Sequence, residues 1–188
     1  MTEPVMTEPV MTEPVMTEPV MTEPVMSQAV VAALTGPTGF FEDFTVGQRI
    51  RHARGATVGE VENGLISKQV MNTAQAHWNE HYLTGGPLGS GRVVFGLVTA
   101  SVVFGLSSQD TAEQALAELG CTGLRFRAPV HHGDTLYAYT EVLATEPADR
   151  DDAGVVTFRH WGLTHDRRLV FEGVRTVLLK RRSHWAAT

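Results

Sequence analysis

The chain has 188 residues, 43% of them hydrophobic and 19% charged, with 21 acidic against 15 basic side chains and a formal net charge of −6. Five of the acids lie in a repeated N-terminal segment; the rest of the chain carries 16 acids against 15 bases, a near-neutral balance that argues against nucleic acid as the main ligand. The single cysteine, Cys121, excludes an internal disulfide and fits a reducing compartment, so a cytoplasmic protein is expected.

Residues 1–25 are five copies of Met-Thr-Glu-Pro-Val. A proline every fifth residue removes helix donors, and glutamate supplies the only charge of each copy, so this tail is expected to be disordered. It has neither a basic n-region nor a continuous apolar stretch, and it reads as neither a signal peptide nor a membrane span. Met26 is a candidate alternative start, residues 26–39 read as a linker, residues 40–182 as one domain, and residues 183–188 as a C-terminal tail.

Phe40 to Gln48 reads as an aromatic anchor and turn before a first strand around Arg49 to Thr57. Gly59 to Asn63 supplies polar turn or helix-entry residues, and Ile66 to Ala76 places Ile66, Val70 and Ala74 at helical intervals, which predicts a short helix leading to His77. Gly85 to Gly91 cannot continue a helix and suits a loop that approaches a ligand. From Val93 to about Ser107 the chain is apolar almost all round, which predicts an enclosed helix, with a buried strand as the rival reading. Thr111 to Leu119 has helix-forming residues. Strand-like segments follow at Gly123 to Ala128, Thr135 to Thr145, Val155 to Thr164 and Arg168 to Lys180, with hairpin connections at Asp149 to Gly154 and His165 to Arg167. Cys121, just before a strand-like run with no adjacent base, reads as a small buried residue. One helix followed by antiparallel strands gives an α+β domain, an antiparallel sheet around a central helix.

Three stretches carry a more specific signal: Asn72-Thr73-Ala74-Gln75-Ala76-His77-Trp78-Asn79, the apolar run with Gly96, and Phe126-Arg127-Ala128-Pro129-Val130-His131-His132-Gly133-Asp134-Thr135-Leu136. In that order and spacing they resemble a MaoC-type hot-dog domain of the acyl-thioester hydratase/dehydratase family, in its mesaconyl-CoA hydratase-like branch. The resemblance covers roughly Phe40 to Arg182. It implies a single hot-dog domain, catalysis without a metal or redox cofactor, and an acyl-CoA or acyl-carrier-protein substrate. It also implies a homodimer or higher assembly, because such domains complete the acyl tunnel in pairs.

Hydration of an α,β-unsaturated thioester needs a base for the attacking water, an acid for the α carbon and donors for the enolate oxygen. The resemblance maps His77 onto the family's acid/base histidine and Gly96 onto the glycine at the oxyanion site. Asn72 falls where the family carries an aspartate, and an amide cannot serve as a carboxylate base. Three explanations stand open: Asn72 orients the water while His77 transfers protons, a nearby carboxylate such as Glu80 takes the missing role, or the domain binds acyl thioesters without turnover. Phe95 occupies a place where many relatives carry His or Tyr.

Other residues support blander readings. His77-Trp78-Asn79-Glu80-His81 matches an inverted zinc-protease pattern, but no third ligand is found in the sequence and no metal is expected. His81 reads as a residue capping or lining the helix end, and His131 and His132 as an ordinary turn. Arg125, Arg127 and Lys180-Arg181-Arg182 read as solvated charge, with Arg92 a further candidate for holding CoA phosphates. The expected activity is reversible hydration of a 2-enoyl thioester, or dehydration of a 3-hydroxyacyl thioester, with a short, branched or dicarboxylic acyl group. Hot-dog thioesterase action and non-catalytic acyl-thioester binding are the alternatives.

Overall fold

The structure is a computed structural model that describes residues 29–33, 39–84 and 91–186. The whole repeat tail with its expected disorder, most of the linker, the glycine-rich loop at residues 85–90 and residues 187–188 lie outside the described residues. The elements in chain order are β1 (Val30–Val31), β2 (Arg49–Thr57), α1 (Glu60–Gln69), α2 (Gly96–Thr111), β3 (Ala115–Phe126), β4 (Thr135–Pro147), β5 (Ala153–Thr164), β6 (Leu169–Lys180) and the short α3 (Arg182–Trp185). The strands form one six-stranded sheet in the order β1-β2-β4-β5-β6-β3, antiparallel except for the short parallel pair β1 and β2. The two hairpins expected from sequence join β4 to β5 and β5 to β6, and Arg167 takes a left-handed conformation (φ 66°) in the second.

The sheet curls around α2, which packs against β2, β4, β5 and β6. Val98, Ala100 and Val103 of α2 meet Leu136, Ala138, Val170 and Phe171 from the strands in one buried cluster. A helix apolar on nearly every side has no solvent face to offer, so enclosure by a sheet is its stable setting. Leu97, about half exposed near the helix start, shares one narrow exposed stripe with Ser101 and Gly105. Among the described residues no helix is long and apolar enough to cross a membrane.

Three expectations change. The helix expected at Ile66 to Ala76 forms earlier, as α1, where Glu60 and Glu62 favour the positive end and Lys68 the negative end. It stops because Met71 adopts φ 55° and the Asn72 side chain accepts the Ala74 N–H at 2.9 Å, a local turn that competes with helical bonding. Much of the helix-forming stretch Thr111 to Leu119 is instead the start of β3, paired with β6 through Ala115 opposite Leu179 and Glu118 opposite Val177. Cross-strand pairing overrides the helical propensity of Ala, Leu and Glu there. Cys121, expected to be buried, is exposed on this edge strand. Burial against its surroundings, more than the nearby Glu118, pushes its thiol above the ordinary range, so little nucleophilic thiolate forms.

Candidate active site

His77 lies in a single 3-10 turn, Gln75–His77, reached through extended Ala74. Its backbone partner is the segment before α2: Val93 donates its N–H to Ala76 O at 3.0 Å, and Val93 O lies 2.8 Å from His77 Nδ1. A carbonyl only accepts, so Nδ1 carries a proton and donates. Nε2 has no partner among the described residues and is the nitrogen left for proton transfer. The imidazole rests against the Phe95 ring, centroids 5.4 Å apart and tilted by 52°.

Phe95 is the N-cap of α2. Its N–H donates to Asn63 Oδ1 at 2.9 Å, and its carbonyl accepts from Val98 N and Thr99 N at 2.8 and 3.3 Å. The N–H groups of Gly96 and Leu97 find no partner among the described residues. A helix start with free amides attracts negative charge, and here it stands beside the histidine. A Cβ at Gly96 would lie 3.0 Å from the half-exposed Phe126 ring, a tight contact that a small shift of that ring would relieve.

Asn72 is half-buried at the exit of α1. Its backbone N–H donates to Ser67 O at 2.9 Å, and its carbonyl accepts the Trp78 indole N–H at 2.7 Å. With Oδ1 turned to Ala74, the Asn72 NH2 group is left without a partner among the described residues. Glu80 is exposed, and its Oε2 accepts from Arg92 Nε at 2.9 Å while Arg92 also pairs with Glu60. The Arg92 hydrogen bond, then its charge, holds the Glu60 carboxyl below the usual range, and Glu60 and Glu80 together raise the Arg92 guanidinium.

His77 and Gly96 lie on neighbouring segments linked through Val93 and Phe95, Asn72 is bonded to Ser67, Ala74 and Trp78, and Glu80 stands in an ion pair with Arg92. His77 and His81 fall in separate short turns, Gln75–His77 and His81–Leu83, so the zinc-protease spacing does not lie on one helix. Among the described residues no group of three or more His, Cys, Asp or Glu stands together to hold a metal. The side chains of Arg125 and Arg127 share Glu172, at 3.3 and 2.9 Å. Arg181 and Arg182 stack over Phe41 and Phe40, which makes them part of the packing of the first turn.

Sequence reasoning missed Asn63 and Ser67, read among polar turn and helix residues but 1% and 0% exposed. Their separation by four residues places both on one face of α1, the signal that marks them as inward-facing. It also treated His132 as ordinary turn surface, whereas His132 Nε2 lies 3.1 Å from Asn63 Nδ2.

An antiparallel sheet curled around an apolar helix, whose first free amides stand beside an imidazole, defines a hot-dog domain of the MaoC hydratase/dehydratase class. The domain is 29% identical to a MaoC domain protein dehydratase from Chloroflexus aurantiacus J-10-fl, with a TM-score of 0.71 over 78% of this chain and 46% of that one. A Mycobacterium tuberculosis protein with a double hotdog fold matches at 25% identity and a TM-score of 0.71, over 80% of this chain and 47% of that one. The family model of mesaconyl-CoA hydratase matches residues 49–181, and the chain belongs to that family. Among curated relatives, the β-methylmalyl-CoA dehydratase of Chloroflexus aurantiacus is 31% identical over 157 residues, 81% of this chain and 43% of the relative. The chain spans less than half the length of the curated relatives it matches.

Proposed function

We propose that this domain adds water reversibly to a 2-enoyl-CoA, or removes it from a 3-hydroxyacyl-CoA, with a short, branched or dicarboxylic acyl group. One observation carries the reading: His77 is fixed through Nδ1 and, among the described residues, its Nε2 and the two amides that open α2 beside it have no partner. In the hydration direction the water oxygen bonds to the β carbon while His77 Nε2 takes a water proton. The electron pair of the double bond moves toward the thioester oxygen, where the Gly96 and Leu97 amides stabilise the enolate. The enolate then collapses as the α carbon receives a proton from the imidazolium, which restores neutral His77. No metal or redox cofactor enters these steps.

In this reading, which rests on the resemblance of the Asn72 to Trp78 segment to the family's catalytic stretch, Asn72 takes the place of an aspartate, and its NH2 group, without a partner among the described residues, holds the attacking water by donation while proton transfer stays with His77. Glu80 is the auxiliary carboxylate nearest in sequence, and its bond to Arg92 favours an ionised rim residue over a proton carrier. A homodimer is part of the proposal: β3 is an edge strand with Leu119, Leu124 and Phe126 exposed, and relatives of about twice the length carry the room for a second such domain. A cytoplasmic setting fits the lone unpaired thiol.

The test incubates the full chain with short 2-enoyl-CoA and 3-hydroxyacyl-CoA thioesters and follows product mass. Gain or loss of one water is expected in the wild type. His77→Ala is expected to lower turnover by a factor of about 10² to 10⁴, and Asn72→Asp to raise it. Release of free CoA thiol without a water adduct would mean a thioesterase, and saturable binding without turnover in the wild type would mean a binding domain.

A further inference from the structure

We propose that Asn63 is a positioning residue of this site, whose single carboxamide sets both the start of α2 and the tautomer of His132. The inference rests on the thioester-site reading above. Asn63 is 1% exposed, so water cannot stand in for its partners. The Phe95 N–H at 2.9 Å can only donate, which fixes Oδ1 toward it and turns Nδ2 toward His132 Nε2 at 3.1 Å. Nδ2 can only donate in turn, so His132 Nε2 must be an unprotonated acceptor and the ring proton sits on Nδ1. Flipping the amide would set donor against donor at Phe95 and remove the donor that His132 Nε2 requires.

The consequence reaches the reacting atoms through the backbone. Because Asn63 takes up the Phe95 N–H, the free donors of the helix start are narrowed to Gly96 and Leu97, the pair suited to the enolate oxygen. The His132 turn is held independently: Val94 donates to Val130 O at 2.8 Å, Gly133 to Val58 O at 2.9 Å, and His131 N–H to Asp134 Oδ2 at 2.9 Å. Gly133 takes φ 93°, a left-handed conformation that few other residues tolerate. α1 also holds the Asn72 backbone through Ser67 O. One amide therefore ties α1 both to the start of the oxyanion helix and to the turn before β4.

Two variants separate this role from mere packing. Asn63→Asp keeps an acceptor for Phe95 but removes the donor, so His132 must present Nε2–H. Ring ¹⁵N spectra are expected to show Nδ1–H in the wild type and Nε2–H in the variant. Asn63→Leu keeps the volume and loses both bonds. It is expected to speed amide exchange at Phe95 at least about tenfold, and to lower kcat about 10- to 100-fold with KM within about threefold, because transition-state donors are displaced. The same His132 tautomer in wild type and Asn63→Asp would overturn the proposal, as would unchanged Phe95 exchange and kcat in Asn63→Leu, or a loss of activity that follows only the loss of folded protein. A wild type without turnover on any enoyl thioester would sink the hydratase reading, while the tautomer and exchange measurements would still decide the role of Asn63.

Discussion

The two ends of α2 carry polar groups of similar kinds and use them oppositely. At its C-terminal end Asp110 Oδ2 lies 2.6 Å from His52 Nδ1, His52 Nε2 lies 2.7 Å from Thr140 Oγ1, and Thr140 Oγ1 lies 2.8 Å from His160 Nδ1. Proton directions agree along this chain if both imidazoles are neutral: His160 donates to Thr140, Thr140 to His52, and His52 to the carboxylate. His52 and His160 are fully buried. At the N-terminal end the imidazole of His77 is half-buried and, among the described residues, is bonded on one nitrogen only and stands beside two unbonded amides. The contrast teaches where chemistry resides: a polar chain bonded link to link, whose one loose end, His160 Nε2, is sealed from solvent, specifies the core, whereas donors and lone pairs left free in a half-buried site are available to a substrate.

The sharpest way to break that comparison is to damage each end and read activity and stability separately. Gly96→Val fills the approach to the free amides and presses on Phe126; kcat/KM is expected to fall by about two to three orders of magnitude with little change in the thermal midpoint. Equal losses of stability and activity would remove the distinction between the two ends. Thr140→Val strands His52 Nε2 and the His160 Nδ1–H in the core, an expected cost of about 3 kcal/mol in denaturant unfolding, with kcat per folded molecule within about twofold of wild type. A large kcat loss at full stability would place the buried chain in the reaction.

The smallest expected effect is in pH. Burial foremost, then the charge of Arg175, holds the His160 imidazole well below its ordinary value of 6.5. The folded protein keeps it neutral, while the unfolded chain takes up a proton as pH falls through 6.5. Its contribution is therefore present above that pH and is lost progressively below it, with a slope of at most about 1.4 kcal/mol per pH unit. Comparing urea unfolding at several pH values between wild type and His160→Gln reads this group alone, and an unchanged slope in the variant would show that His160 is not the group responsible.

Much of this contrast was legible at the N-terminal end and little at the other. The apolar run from Val93 announced an enclosed helix, with a strand as its rival, and the segment from Asn72 to His77 pointed to the histidine, because both signals are local in sequence; the turn that carries His77 was read as the end of a helix instead. The His52, Asp110, Thr140 and His160 chain joins residues from β2, α2, β4 and β5, and its existence depends on sheet register that no local pattern contains. Asn63 was missed for a related reason: a buried amide and a solvated one look alike until the helix face is known. β3 was obscured because Ala, Leu and Glu favour a helix locally while β6 offers them a ladder.

The most direct test of the central claim is the infrared carbonyl stretch of a ¹³C-labelled 2-enoyl-CoA thioester bound to His77→Ala, which holds the substrate without rapid turnover. A thioester carbonyl polarised by the free amides of α2 should absorb at lower frequency than in water, and adding Gly96→Val should abolish that shift. A bound carbonyl that absorbs as it does in water, or a shift that survives Gly96→Val, would contradict the assignment of the start of α2 as the oxyanion site.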